Sequence, residues 1–238
     1  MSEQIEQIER EELKREHPEI NEEPAEGGTG ACVKKYSLAL RRGDFGDADL
    51  LFAWRNDPLV RNNSFHHESV RWEEHVQWYK ALLEDRTRFQ YILTADRNAL
   101  REPQSEAQEA ERGTEPDDES GAIGSAHEPI PETKTGEAAV SLIHRVPVGQ
   151  IRIAVEDEKA EIGYSIAEEY RGKGFGTAIL YLLEQHLIAT KEAKADELIG
   201  RVIPANRASQ NAFLRNGYVQ KAKTEQYIEF HKALLGRL

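Results

Sequence analysis

Cysteine is almost absent from this sequence. Cys32 is the only one among 238 residues, so no internal disulfide and no cysteine-based metal cluster can form. It sits in a linker-like stretch, where an ordinary thiol is expected rather than a nucleophile. No apolar run approaches the ~20 residues needed to cross a bilayer. The first residues are acidic, unlike the basic start and apolar core of a signal peptide. No basic stripe with interleaved aromatics is present, which argues against a nucleic-acid partner. The expectation is a soluble, cytoplasmic protein that binds neither metal, membrane nor nucleic acid.

Apolar content is low for a packed domain, with 39% hydrophobic residues and a mean hydropathy of -0.68. Charge shows where the deficit lies. Residues 1–30 carry ten Glu against Arg10, Lys14 and Arg15, a net of -7, and residues 97–141 also sum to -7. The whole chain is -12, so the other 163 residues sum to +2. Both acidic segments are poor in large apolar residues and cannot offset the entropy of ordering. The chain is therefore divided into an acidic, disordered extension and linker over residues 1–35 and one domain over residues 36–238. A disordered insertion interrupts that domain at about residues 97–141. The Gly27-Gly28-Thr29-Gly30 run marks the linker, and the insertion is placed in a hairpin loop between two strands, where added length costs little.

Within the domain, alternation and apolar runs predict strands at Tyr36–Arg42, Phe89–Thr94, Val148–Val155, Ala160–Ile166, Glu197–Ile203, Tyr218–Lys221 and Gln226–His231. Helices are expected over Asp47–Trp54, within Glu68–Glu84, over Gly174–Ala189 and over Asn206–Arg215. Their mixed order indicates an α/β (α+β mixed) fold around one sheet.

The chemistry concentrates at Tyr170-Arg171-Gly172-Lys173-Gly174-Phe175-Gly176-Thr177, between a strand and a helix. Glycines let the backbone approach a ligand. The first N–H groups of the following helix lack partners and lie at the positive end of its dipole, a combination suited to a pyrophosphate. The spacing is neither that of a P-loop nor that of a Rossmann fingerprint. On these residues alone, a glycine-rich turn without a ligand stays open.

About 30 residues later comes Asn206-Arg207-Ala208-Ser209-Gln210-Asn211-Ala212-Phe213-Leu214-Arg215-Asn216-Gly217-Tyr218. The two motifs together resemble the GNAT (GCN5-related N-acetyltransferase) superfamily, from about Tyr36 to Leu238 apart from the insertion. The resemblance implies a mostly antiparallel, splayed sheet flanked by helices and acetyl-CoA as cosubstrate. It implies that backbone N–H groups from Gly172 to Thr177, with Arg171 and Lys173 at the rim, hold the CoA pyrophosphate. Tyr164, Ser165 and Ile166 would pair with pantetheine as an added strand does. Asn206 would contact the cofactor, although Asn also suits a helix N-cap.

The sequence departs from the family where the chemistry occurs. Phe213 stands where many members have a tyrosine acid, and Arg201 where many have a glutamate base. The remaining catalytic candidates are His67, Glu161 and Tyr164; a histidine has a pKa suited to base work.

The front segment, Leu50–Phe65 with Glu74-His75-Val76-Gln77-Trp78, is similar to a superfamily branch acting on bacterial sugar nucleotides. That branch acetylates the 4-amino group of a UDP-linked deoxy-amino sugar on the way to pseudaminic acid type glycans. The resemblance implies acceptor contacts from Trp54, Arg55, Arg61, Phe65 and His66, with a nucleotide-linked amino sugar as small-molecule partner and a homodimer as a further expectation. Two alternatives stand beside it: a protein N-terminal acetyltransferase of the ribosomal-protein type, and a CoA-binding module without catalysis.

Overall fold

The strand Arg88–Asp96 organises the molecule. Every residue from Phe89 to Ala95 is buried, as expected of a strand covered on both faces. In the computed structural model, which describes residues 28–101 and 144–234, this strand is β2 of a seven-stranded sheet. The others are β1 (Ala39–Arg42), β3 (Arg145–Glu156), β4 (Lys159–Ile166), β5 (Glu197–Val202), β6 (Val219–Lys223) and β7 (Ile228–Ala233), in the order β1-β2-β3-β4-β5-β7-β6. All neighbours are antiparallel except β4 and β5. The expected mixed α/β class and mostly antiparallel sheet are both found, as is the hairpin pairing of β2 with β3.

Helices α2 (Ala48–Asn56), α3 (Pro58–Asn62) and α4 (Trp72–Glu84) follow β1. Leu51 of α2 and Tyr79 and Leu82 of α4 close over Ile92 on one face of the sheet. His75 of α4 is 2% exposed, accepts or donates at 3.0 Å to the Ala48 carbonyl through Nε2, and is held below the ordinary histidine pKa by burial. Its ring packs among Phe52, Trp72, Trp78 and Tyr79. Helix α6 (Phe175–Thr190) covers the other face, burying Phe175, Ile179, Leu180, Leu183 and Leu187. Each such side chain contributes roughly 1.5–3 kcal/mol. Helix α7 (Arg207–Arg215) lies beside it.

Two boundaries differ from expectation. Residues Gly28–Lys35 form helix α1 rather than a linker. Cys32 and Val33, with the following Tyr36, pack on the main core, so apolar contact outweighs the helix-breaking composition. At the start of the insertion, Arg97–Leu100 form a helical turn, α5, capped by the Asp96 carboxylate on the N–H groups of Asn98 and Ala99. The rest of both acidic segments lies outside the described residues.

The feature that positions the site is the early end of the β4–β5 ladder. Pairing runs from Lys159 opposite Glu197 to Ile162 opposite Gly200 and then stops. Strand β4 stays paired with β3 as far as Ile166, and β5 with β7 as far as Val202, so each strand keeps its outer partner while the two part. Phe213 of α7 packs at the base of the fork, against Gly200. Its ring stacks on Phe230 at 5.5 Å and meets the edges of Tyr218 at 4.9 Å and Tyr164 at 6.0 Å. Gly200 is obligatory under this ring, since a Cβ there would lie 2.2 Å from Phe213 Cζ. Gly200→Ala is therefore expected to cost about 1–3 kcal/mol through overpacking. Urea denaturation measures this, and an unchanged midpoint would contradict the packing described.

Candidate functional site

The glycine turn leads directly into α6. Gly172 and Gly174 have φ of +76° and +82°, a region that side chains other than glycine rarely adopt, and Gly174 is the N-cap of α6. Among the described residues, the N–H groups of Gly172, Lys173, Gly174, Phe175 and Gly176 have no hydrogen-bond acceptor. The Thr177 N–H does have one, the Gly174 carbonyl at 3.1 Å, so the free run ends one residue earlier than the sequence suggested. Phe175 contributes only its backbone to this row, because its ring is 1% exposed and packed on Tyr36. Such a cluster of free N–H groups at a helix N-terminus fits an anion of pyrophosphate size.

Arg171 also has partners within the protein. Its guanidinium donates to Asp57 Oδ1 at 2.8 Å and to the Ile166 carbonyl at 3.0 Å. Asp57 also accepts from the Val60 N–H at 2.9 Å. Burial opposes its charge, but these donors hold the Asp57 carboxyl below its ordinary pKa. Arg171 thus clamps the turn to the α2–α3 junction, while Lys173 stays exposed at the rim. Cys32 donates to the Lys173 carbonyl at 3.4 Å, which braces the turn from α1.

Beyond Ile162, the β5-facing edge of Gly163-Tyr164-Ser165-Ile166 is unpaired, an open strand edge able to take an extended ligand. The Ser165 hydroxyl accepts from Gln150 Nε2 at 3.1 Å. Asn206 is the N-cap of α7, accepting from the Ser209 N–H at 3.1 Å, and it still borders the gap.

The gap opens into a cavity of about 700 Å³. One side is built from α2, α4 and the loop before α4, through Trp54, Arg55, Phe65, His66, Glu74 and Trp78. The sheet supplies Arg88 and Gln90 of β2, Gln150 and Arg152 of β3, Glu161 to Ser165 of β4 and Arg201 of β5. Asn206, Ser209 and Phe213 of α7 complete the lining. The free N–H row adjoins the cavity at Tyr164, which lines the cavity and lies where a Cβ on Gly176 would be 3.5 Å from its hydroxyl.

Most of the expected side chains meet here. Glu161, Tyr164, Ser165, Asn206, Trp54, Arg55, Phe65 and His66 all line the cavity. His67 and Arg61 do not. The His67 ring is turned onto the Arg61 carbonyl, 3.0 Å from Nδ1. Glu161 is paired with Arg201 at 2.9 Å, and Arg201 also donates to Glu229 at 2.7 Å. The Glu229 carboxyl is held low by its bonds to His231 and Arg201. Arg201 is thus a structural cation, neutralised from both sides. Tyr164 lies against Gly176, where a Cβ would be 3.5 Å from its hydroxyl. Burial pushes the Tyr164 phenol up to about 12, so it carries its proton at neutral pH.

The sequence reading missed Arg88, Gln90, Gln150 and Arg152. Their signal was present: along β3, Gln150 and Arg152 alternate with buried Ile151 and Ile153, which places them on the face away from α6. What the sequence lacked was the knowledge that α2 and α4 roof that face without filling it.

The sequence matches the acetyltransferase (GNAT) domain family over residues 37–219. No curated protein matches the chain in sequence. Among solved structures, spermidine N-acetyltransferase from Vibrio cholerae, in complex with CoA and spermine, superposes with a TM-score of 0.58 at 12% identity, covering 84% of this chain and 96% of that one. A domain from Methanocaldococcus jannaschii gives 0.55 at 18% identity, over 82% and 97% of the two chains. Aminoglycoside acetyltransferase AAC(6')-Ib in complex with coenzyme A gives 0.52 at 13% identity, over 82% and 94%. These structures share the fold, and the family match, which spans most of the chain and includes both sequence motifs, shows that this protein belongs to the GNAT acetyltransferases.

Proposed function

We propose that the chain transfers an acetyl group from acetyl-CoA to the primary amine of a small molecule, and that this amine is the 4-amino group of a UDP-linked deoxy-amino sugar. The observation that carries the acetyl-CoA half is the continuity of three features: the free N–H row of Gly172–Gly176, the unpaired edge of β4 and the cavity behind it. Support for the sugar-nucleotide half is the front wall, where Trp54, Arg55, Phe65 and His66 line the cavity together. Phe65 is 48% exposed and meets Tyr227 edge-on at 6.3 Å, an aromatic pair at the mouth suited to a planar or sugar ring.

Acetyl-CoA supplies the acetyl group as an activated thioester. The residues of this chain hold and orient. The N–H row takes the pyrophosphate, and the β4 edge takes the amide groups of pantetheine. That track leads toward Phe213, whose ring offers no proton. Tyr164, packed on the edge of that ring, presents the neighbouring hydroxyl, which keeps its proton at neutral pH and is proposed to donate a hydrogen bond to the departing thiolate and so stabilise it. Glu161, exposed in the cavity with one oxygen on Arg201, is positioned to take a proton from the acceptor amine directly or through water. His67 is not assigned a part, given its position outside the cavity.

A thiol-release assay with acetyl-CoA tests this reading against UDP-linked 4-amino sugars, peptide N-termini and polyamines. Turnover fastest with the UDP-amino sugar is the expected result. Preference for peptides would overturn the acceptor, and CoA binding without turnover on any amine would indicate a module without catalysis. Gly174→Val, which places a side chain at φ +82°, should lower CoA affinity at least tenfold in calorimetry; unchanged affinity refutes the cradle. Tyr164→Phe should lower kcat roughly 100-fold with CoA affinity retained, and an unchanged kcat removes Tyr164 as hydrogen-bond donor to the thiolate.

A further inference from the structure

The charges of the cavity do not balance. Of its two carboxylates, Glu161 pairs with Arg201 at 2.9 Å, while Glu74 at the start of α4 accepts only a backbone N–H, that of Arg71 at 3.4 Å, and keeps its charge. Three arginines face this one remaining carboxylate, a surplus of two positive charges. Arg152 of β3, Arg88 of β2 and Arg55 of α2 all face the cavity, and none has a carboxylate of the described residues within 4.0 Å. Arg55 donates to the His66 carbonyl at 3.0 Å through Nη2, while its Nη1 is buried without an acceptor. The Arg152 side chain is exposed to the cavity and makes no hydrogen bond among the described residues, although its backbone is paired with β2 and β4. Guanidinium groups without a carboxylate partner are ready donors for a phosphate or carboxylate.

These arginines are held in place rather than loose. The Arg152 and Arg88 guanidinium carbons lie 5.5 and 5.8 Å from the centre of the Trp78 ring, so one indole braces both. Gly163 leaves room for Arg152, since a Cβ there would lie 3.1 Å from Arg152 Nε. Gly163 is also the first β4 residue beyond the end of pairing with β5. The fixed cation therefore stands beside the opening into which the thioester is proposed to reach. Arg88 and Arg55 stand close enough to repel the Arg152 charge, with Glu161 acting the other way, and an anion among the three arginines would offset that repulsion.

We propose that the acceptor carries an anionic group, phosphate or carboxylate, that binds among Arg152, Arg88 and Arg55, and that this subsite selects acidic amines over polycationic ones. The proposal rests on the acetyltransferase reading above but does not depend on which acidic amine is used. It separates this chain from its structural neighbours, whose named ligands, spermine and aminoglycosides, are polycations that these arginines would repel.

The test uses the full chain and pairs of amines that differ in one anion. Thiol release at saturating acetyl-CoA is compared for glucosamine against glucosamine 6-phosphate, for an amino-acid amide against the free amino acid, and for spermidine. CoA affinity is measured separately by calorimetry. The expected result is a kcat/KM at least tenfold higher for the anionic member of one pair, with spermidine the poorest substrate; the pair that responds tells phosphate from carboxylate. Arg152→Gln should erase that preference through KM while leaving CoA affinity unchanged, and Arg152→Lys should restore part of it. Competition by UDP or inorganic phosphate should weaken about tenfold in Arg152→Gln, and Arg88→Gln gives a second reading should that variant fold poorly. CoA binding with equal or better turnover of neutral or polycationic amines, insensitive to Arg152→Gln, overturns the subsite alone. Failure to bind CoA overturns the acetyltransferase reading itself.

Discussion

Beyond Ile162 and Gly200, β4 and β5 no longer share hydrogen bonds, and the functional geometry follows from that parting. A continuous sheet would have sealed the two faces from each other. Here the cradle at the N-terminus of α6 adjoins the chamber under α2 and α4 at Tyr164. The fork is kept open by an aromatic cluster centred on Phe213, which requires a residue without a side chain at position 200. Phe213 therefore has a structural reason to be apolar. Stacked on Phe230 and flanked by two tyrosines, it supports the strands that diverge around it, and a hydroxyl on a β4 tyrosine stands close by.

Electrostatics divide the molecule in a way that net charge conceals. The chain sums to -12, yet its cavity holds a surplus of arginine. Ion pairs consume some of the cations. Arg171 is held by Asp57 at 2.8 Å and Arg201 by Glu161 and Glu229, so both charges already have partners. Arg41 is likewise committed, in a two-pronged pair with Asp47 at 2.6 and 2.8 Å that fixes the entry to α2. Partner assignment, more than the number of basic residues, decides which charges can act.

The sequence exposed the fold because its signals were local. The glycines of residues 172–176, the Asn206 cap, the apolar face of α6 and the strand runs each follow from neighbours in the chain, and the hairpin of β2 with β3 was legible despite the long intervening segment. Signals that depend on tertiary partners were hidden. Residues Gly28–Lys35 read as a linker by composition, but their contact with the core makes them helical. The ion pair of Arg171 with Asp57, 114 residues earlier, left no trace in the local sequence. His67 was placed near the acceptor by loop position alone, and a one-residue difference in direction separates it from His66, which does line the cavity. Arg152 went unremarked because nothing local announces the roof that distant helices build over its face.

The hairpin between β2 and β3 is fastened at its base. Asp96 caps the turn that follows it, and the Arg97 N–H donates to the His144 carbonyl at 2.7 Å. Arg145 adds bonds to the Thr94 hydroxyl at 2.9 Å and the Ser37 carbonyl at 2.5 Å. The ends of the long acidic stretch thus leave the sheet side by side from a closed knot, so its length and sequence exert no leverage on strand register. Register is thereby set on the sheet side of the stretch, and a loop entering and leaving through adjacent ends adds little closure entropy however long it is.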